Sequence, residues 1–489
     1  MNTRPNILLI LTDQHRLSAL GCYGPTPCRT PNLDRLAAEG VRFETAYTCF
    51  PVCSPTRASI MTGQWPHAHG VCANVHNLGC SVHELADRPE LLSRRLQAAG
   101  YRCGYTGKWH LGTADETAFG GPNTPSLPRD VGFDGQNFPG HGGGGHNYPE
   151  YKAYLQAHGW THQVLPNERP ARVMNYGRLA GPEEATVPHF LAQHTIDLMA
   201  QYGAGDQPLF LWHNFWGPHA PYYAPAAYYE QYRDVAMPEW PNYRWDGVNE
   251  NRPHQVKRHP QWDALAWEDW AEAIRHYYAF TTHIDNQIGR ILDYLDSSGL
   301  AEDTIVLVSA DHGETLGSHG GLTDKGWHHF EEIQRIPMIV RLPPAMRSLD
   351  PGTVLEQWVS NLDIFPTVLD WAGGDAGGVH GQSFAPLVQG ADAAGRETIF
   401  VEFNGVNSLA TNMITCRHGD WKYGWNCSSF DELYNLAEDP YETANRIDDP
   451  ACAGEVKAMI RRIEAFMEET DYPRPARSMF HGTRVRRYG

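Results

Sequence analysis

Ile7-Leu8-Leu9-Ile10-Leu11-Thr12, running straight into Asp13-Gln14, decides the fold. An apolar run without polar alternation, ended by a carboxylate, describes a strand buried on both faces. The pattern returns at Thr304–Ser309 (TIVLVS), which leads into Asp311-His312-Gly313. Strand-like runs at Tyr101–Thr106 and Leu209–Phe215 alternate with helical patterns at Pro31–Gly40, His83–Ala99, Pro188–Tyr202 and Trp267–Leu295. The first of these helices carries its own punctuation, with Thr30 at the cap position, Pro at the start and Gly at the stop. Such an order predicts an α/β fold: a large mixed, mostly parallel sheet covered by helices on both faces.

The texture changes further along. After about residue 380, Thr398–Glu402 and Met413–Tyr423 read as short strands and Gly454–Glu469 as a closing helix. A catalytic domain over 1–380 followed by a smaller α+β domain over 381–489 is therefore expected. The 489 residues also exceed the roughly 250–300 at which a single core stops growing. Two segments break the rhythm and read as specificity loops. Residues 113–186 are rich in Gly and Pro, including Gly142–Gly145, with His141 and His146 beside them as a candidate substrate loop. Residues 222–270 are dense in aromatics, from Tyr222 to Trp270. Those rings either stack on a sugar or aryl leaving group or pack beneath a long loop, and packing accounts for most of them. The tail from Pro473 to Gly489 holds Arg474, Arg477, Arg484, Arg486 and Arg487; it either reaches a neighbouring subunit of a homo-oligomer or is a loose terminus.

Charge excludes several classes. With 39 Lys and Arg against 57 Asp and Glu, the net charge is −18, the wrong sign for a nucleic-acid or anionic-membrane binder. No apolar stretch approaches the ~20 residues of a membrane span. Ile7–Leu11 is too short for the apolar segment of a signal peptide, so a soluble, cytoplasmic protein is expected. The ten cysteines form no CxxC pair and read as buried free thiols of a reducing compartment.

Ligands of open α/β sheets bind beyond the carboxyl ends of strands. Asp13-Gln14 and Asp311-His312 stand at two such ends, and their donors suit a hard divalent cation such as Ca²⁺ or Mg²⁺. The histidine keeps Mn²⁺ and Zn²⁺ open.

One short segment changes the reading. Cys53-Ser54-Pro55-Thr56-Arg57, followed by Ala58-Ser59-Ile60-Met61-Thr62-Gly63, resembles the formylglycine signature of the sulfatase family. Other landmarks follow in the sulfatase order. They are Pro5-Asn6-Ile7 with Thr12-Asp13, Thr30-Pro31-Asn32-Leu33-Asp34-Arg35-Leu36-Ala37 and Thr106-Gly107-Lys108-Trp109-His110-Leu111-Gly112. Pro218-His219-Ala220-Pro221, Asp311-His312-Gly313-Glu314 and Glu432-Leu433-Tyr434-Asn435-Leu436 with Asp439-Pro440 complete the set.

The resemblance implies an alkaline-phosphatase-like fold and hydrolysis of sulfate esters through a covalent sulfo-enzyme intermediate. In it Cys53 is the formylglycine precursor, nucleophile and metal ligand, and Asp13, Gln14, Asp311 and His312 are the other ligands of one divalent cation. That cation is Ca²⁺ first, with Mg²⁺ or Mn²⁺ as alternatives. Arg57 holds the aldehyde hydrate, Lys108 and Lys325 clamp sulfate oxygens, His110 deprotonates the hemiacetal, and His219 lies near the leaving-group oxygen. Asn74 sits where relatives often contact substrate. A small-molecule or carbohydrate sulfate ester and a formylglycine-generating or other sulfatase-maturing enzyme are the implied partners.

One position departs from the pattern. Many sulfatases pair two Asp residues at the end of the first strand, whereas position 14 is Gln. A neutral amide there resembles the phosphonate monoester and phosphodiester hydrolases of the same superfamily, which are the alternative activity. A non-catalytic sulfated-glycan-binding protein would keep Lys108 and the aromatic loops without needing Cys53 or the metal, and the full set of candidate ligands argues against it.

Overall fold

The computed structural model describes residues 4–75, 77, 80–112, 126–137, 139–140, 142–167, 170–203, 205–243, 265–406 and 409–488. The opening run is strand β1 (Asn6–Asp13), buried at every residue after Asn6. Seven more strands complete its sheet: β2 (Val41–Phe43), β3 (Arg102–Gly107), β4 (Asp134–Gly135), β5 (Leu209–Pro218), β6 (Thr304–Ala310), β7 (Met338–Arg341) and β8 (Thr353–Leu355). Their spatial order is β8-β2-β7-β6-β1-β5-β3-β4. β1 lies near the middle, parallel to β6 and to β5, with Ile7 opposite Ile305 on one side and Phe210 on the other. β7 runs antiparallel to both its neighbours, which makes the sheet mixed.

Alternate residues of β1 feed two cores. Ile7, Leu9 and Leu11 pack with α2 (Cys53–Thr62), α3 (Leu92–Ala98) and α6 (Ile364–Ala372). Leu8 and Ile10 pack with α1 (Pro31–Glu39), α4 (Val187–Tyr202) and α5 (Trp267–Ser298). Burial on both faces is what a strand with no polar alternation requires, and the expected two-faced α/β sheet is present.

A second sheet of four antiparallel strands follows: β9 (Thr398–Val406), β10 (Leu409–His418), β11 (Trp421–Asn426) and β12 (Glu432–Asn435). Helix α7 (Ala453–Glu469) covers it through Val456, Met459, Ile460 and Ile463. That core also takes in Phe50 and Val52, so the C-terminal sheet buttresses the chain just ahead of Cys53.

Several local expectations need correction. The helix read over His83–Ala99 is confined to Leu92–Ala98, because Pro89 disfavours helical backbone at Arg88 and Leu91 is extended. Met413–Tyr423 is two strands, with Gly419 at φ +54° in the turn where His418 faces Trp421. Thr30 sits at the cap of α1 without a side-chain capping bond; the Asp285 carboxylate of α5 instead accepts from Asn32 N at 3.0 Å and Leu33 N at 2.8 Å. The Gly- and Pro-rich segment holds a helix, Pro149–His158, and strands Gln163–Leu165 and Tyr176–Ala180, the latter pairing with Tyr222–Pro225. Residues 113–125 and His141 lie outside the described residues, as do Trp245 and Trp262. Tyr222, Tyr228, Tyr229, Tyr232, Tyr243 and Trp270 are buried, so most of the described aromatic segment is packing.

The basic tail is helix α8 (Arg474–Tyr488), seated on its own chain. Phe480 packs edge-on against Trp425 at 5.0 Å, and Trp425 Nε1 donates to Thr483 Oγ1 at 2.9 Å. All ten cysteines are free; Cys22, Cys72 and Cys427 are half-buried rather than buried. Among the described residues no helix is long and apolar enough to cross a membrane.

Candidate active site

The site gathers at the carboxyl ends of β1, β6 and β5 and at the first residue of α2. Cys53 opens α2 behind an extended Val52, and every residue of that helix is buried. Its N-terminal amides therefore face a dry interior, where the helix dipole favours an electron-rich group. Ser54 N donates to Asn74 Oδ1 at 3.1 Å, and Ser54 Oγ donates to the His110 carbonyl at 2.7 Å, fixing the start of the helix. Arg57 lies one turn on and projects from the same face as Cys53.

Four candidate ligands converge. Cys53 Sγ lies 3.3 Å from His312 Nε2 and 3.5 Å from Asp13 Oδ1, and donor atoms of Asp13, Cys53, Asp311 and His312 all lie within 4.8 Å of one another. All four residues are fully buried. Buried carboxylate, imidazole and sulfur atoms facing one another are the arrangement a divalent cation neutralises, so the donor set fits one. His312 Nδ1 is occupied by the Gly313 carbonyl at 2.9 Å, which leaves Nε2 for that cluster.

Gln14 adopts the left-handed region at φ +59°, a strained conformation for a non-glycine residue. Its backbone N–H donates to Asp311 Oδ1 at 3.0 Å, and its carbonyl accepts from Tyr277 OH at 3.0 Å. Its side-chain Oε1 accepts from Lys325 Nζ at 2.6 Å, while its Nε2 donates to Glu314 Oε2. His110 is left-handed as well, at φ +60°.

Cations ring the cluster. Lys108 Nζ pairs with Asp13 Oδ2, and Arg57 reaches Asp311 Oδ2 at 3.1 Å and Asp13 Oδ2 at 3.9 Å. Arg57 also donates to Asn214 Oδ1 at 2.7 Å and to the Lys108 carbonyl at 3.0 Å. Gly107, at φ +91°, lets β3 run close to β5 at Asn214: a Cβ there would lie 1.7 Å from the Asn214 carbonyl oxygen. His219 donates its backbone N–H to the Asp13 carbonyl at 3.0 Å, and its Nδ1 lies 2.6 Å from the Ala220 carbonyl.

Burial opposes every charge here, and the neighbours decide which survive. Burial would raise Asp13, yet Lys108, His219, Arg57 and Lys325 hold it well below the usual carboxylate range. Burial, with Asp13 adding to it, pushes the Cys53 thiol up to about 11 against Lys108 and Lys325, so an unmodified Cys53 is a neutral thiol at pH 7. Burial and then Lys325 push His219 down to about 4. Lys325 is raised despite burial, because Cys53 once ionised, Asp324 and Asp13 favour its charge.

Most of the residues singled out from sequence thus meet in one place. Asn74 joins through the backbone of α2, with its Oδ1 on Ser54 N–H. Two contributors were missed. Asn214 stands on β5, near one more strand end beside the site, which the strand-end rule could have flagged. Glu314 closes the Asp311-His312-Gly313-Glu314 landmark, and no local pattern marks its contact with Gln14.

Residues 5–374 match the family described as Sulfatase, and residues 317–469 match N-sulphoglucosamine sulphohydrolase, C-terminal. The chain belongs to the sulfatase family of the alkaline phosphatase superfamily, and is by that membership a sulfuric ester hydrolase. It is 30% identical over 457 residues to an uncharacterized sulfatase, YidJ, of Escherichia coli, covering 91% of this chain and 84% of that one. It is 28% identical over 460 residues to a choline-sulfatase of Rhizobium meliloti, covering 91% and 83%. A solved phosphonate monoester hydrolase of Agrobacterium radiobacter shares the fold with a TM-score of 0.76 at 24% identity, covering 96% of each chain.

Proposed function

We propose that this chain hydrolyses sulfate esters of small molecules or carbohydrates, with Cys53 matured to formylglycine by a separate maturing enzyme and one divalent cation at Asp13, Gln14, Cys53, Asp311 and His312. Ca²⁺ is the first choice of cation and Mg²⁺ or Mn²⁺ the alternatives. The observation that carries the reading is the convergence of four buried donors and three cationic side chains at the first turn of α2. When bound, the cation supplies Lewis acidity toward sulfate oxygens, and formylglycine supplies the hydroxyl nucleophile that a neutral thiol cannot replace.

The chain's own residues do the rest. Lys108 and Lys325 present ammonium groups to the anionic ester, as point charges at buried positions. Arg57 holds Asp311 and Asp13 in place through its guanidinium and fixes the Lys108 backbone. His110 takes the proton at residue 53. His219, tied by its backbone N–H to the Asp13 carbonyl, is the residue beside the leaving-group oxygen.

Mass spectrometry of the tryptic peptide spanning Cys53, from protein co-expressed with a maturing enzyme, tests the reading. An aldehyde in place of CH₂SH is expected; unmodified Cys in fully active protein would overturn it. Gln14 favours a second reading, hydrolysis of phosphonate monoesters or phosphodiesters. Rates on paired aryl sulfate and aryl phosphonate esters separate the two, and a preference for the phosphonate establishes the second.

A further inference from the structure

The two ends of a carboxamide are not interchangeable, and Gln14 meets a different partner at each. Its Oε1 accepts from Lys325 Nζ at 2.6 Å and its Nε2 donates to Glu314 Oε2. An ammonium offers only protons and a carboxylate only lone pairs, so the two neighbours set which way round the amide stands. Glu314 is itself fully buried, and its other oxygen is engaged. Glu314 Oε1 accepts from Asp324 N at 2.6 Å, Leu316 N at 3.0 Å and Thr315 Oγ1 at 3.3 Å. One carboxylate therefore ties the end of β1 to the loop 314–325 that brings in Lys325.

We propose that Glu314 is a positioning residue: it holds the Gln14 carboxamide with its oxygen toward Lys325, and so lets a neutral side chain serve where many sulfatases carry a second Asp. The inference rests on the reading of Gln14 as an ion ligand. Glu314 touches neither the reacting atoms nor the ion. Its carboxyl group sits behind the site, at the far end of the amide.

Reversal of donor and acceptor tests it. In Glu314→Gln the new oxygen can keep the three loop donors, which turns the new NH₂ against the Gln14 NH₂. The Gln14 amide must then flip and present its NH₂ to Lys325 and the ion. Ca²⁺, Mg²⁺ and Mn²⁺ are titrated separately against the melting temperature of purified protein without substrate. In Glu314→Gln, affinity for the ion that the wild type binds is expected to fall roughly 10–100-fold, the usual cost of losing an outer-shell partner. The double variant Gln14→Glu/Glu314→Gln swaps donor and acceptor at constant total charge and should recover affinity to within a few-fold. A purely structural Glu314 would give no such recovery.

Wild-type affinity in Glu314→Gln overturns the proposal, as does a folded double variant that stays as weak as the single one. If Glu314→Gln does not fold, the double variant carries the test: folded and ion-binding supports the proposal, folded and non-binding overturns it. A wild-type protein whose melting temperature responds to none of the three ions removes the ion-ligand reading and this inference with it. An ion-responsive wild type beside a Glu314→Gln variant of unchanged ion affinity ends the role of Glu314 alone.

Discussion

Two clusters of buried charge lie on either side of the 314–332 loop, and their compositions are alike. One is the site around Asp13, Cys53, Asp311 and His312; the other, at the seam with the C-terminal sheet, has His319, Glu332 and Glu442 donors equally close together. The seam closes on itself. Glu331 accepts from Lys422 Nζ at 2.8 Å and Tyr47 OH at 2.6 Å, and Glu332 from Asn242 Nδ2 at 2.8 Å, with His319 Nε2 at 3.0 Å from its other oxygen. Glu442 faces Lys422 Nζ at 2.7 Å and accepts from Glu331 N at 2.7 Å. Every one of those carboxylate oxygens has a nitrogen or hydroxyl partner, and Lys422 supplies the positive charge. At the site, Asp13 Oδ1 instead meets a thiol at 3.5 Å and His312 Nε2 at 3.9 Å. Similar residues make a closed clamp where every carboxylate oxygen meets a nitrogen or hydroxyl; at the site Lys108 takes only Asp13 Oδ2 and leaves Oδ1 facing the thiol and imidazole.

The contrast breaks most sharply at Cys53. Cys53→Ala should reduce turnover by at least about 10³-fold, because the nucleophile is gone, while leaving the urea midpoint near wild type. Wild-type turnover in that variant would end the nucleophile assignment. Lys422→Met should do the reverse. It leaves Glu331 and Glu442 without their shared ammonium, at a cost of roughly 3–5 kcal/mol in urea unfolding. Activity per folded molecule should change little. A stability loss within error would mean that Arg417, 3.5 Å from Glu331, suffices alone. Lys108→Ala tests the site's cations: kcat/KM on an aryl sulfate should fall about 10²–10³-fold, the usual loss for one preorganised charge-stabilising donor. An unchanged kcat/KM would confine Lys108 to pairing with Asp13.

How much of this could be read from sequence follows from how local each feature is. β1 and β6 were legible because a strand buried on both faces is apolar without interruption, and Asp13 and Asp311 stand at their ends. Cys53 and Arg57 were legible because Cys-x-Pro-x-Arg resembles the formylglycine signature, and the structure then puts them one helical turn apart on α2. The Glu314–Gln14 contact joins residues 300 apart, and Lys422 meets Glu331 across 91. No periodicity encodes such pairings. His83–Glu90 read as helix because apolar spacing carried across Pro89, where backbone sterics outweigh it. Asn74 was singled out from its place in the chain as a candidate substrate contact; that its Oδ1 also accepts from Ser54 N–H at the start of α2 is a pairing across 20 residues that no local pattern marks.

The seam also carries a pH dependence, and its sign is opposite for two neighbouring glutamates. Burial would raise Glu331, but Lys422 and Arg417 hold it down to about 2. Burial pushes Glu442 up to about 8, since Lys422 is shared and the charges of Glu331 and Glu332 oppose a third. An unfolded glutamate titrates near 4.3, as is usual for that side chain. Between that value and about 8 the folded protein keeps a proton on Glu442 that the unfolded chain has lost, so stability declines as pH rises through the window. Glu331 does the reverse at lower pH: its contribution is present above the unfolded value and is lost as pH falls toward about 2. Glu442→Gln, which cannot ionise, should therefore flatten the decline between pH 5 and pH 8 at a cost of about 1 kcal/mol or less at the acid end. Urea midpoints of wild type and variant across that range decide it. Parallel curves would mean that Glu442 is ionised in the folded protein and that Lys422 serves both carboxylates equally; converging curves place the ammonium with Glu331 and the proton with Glu442.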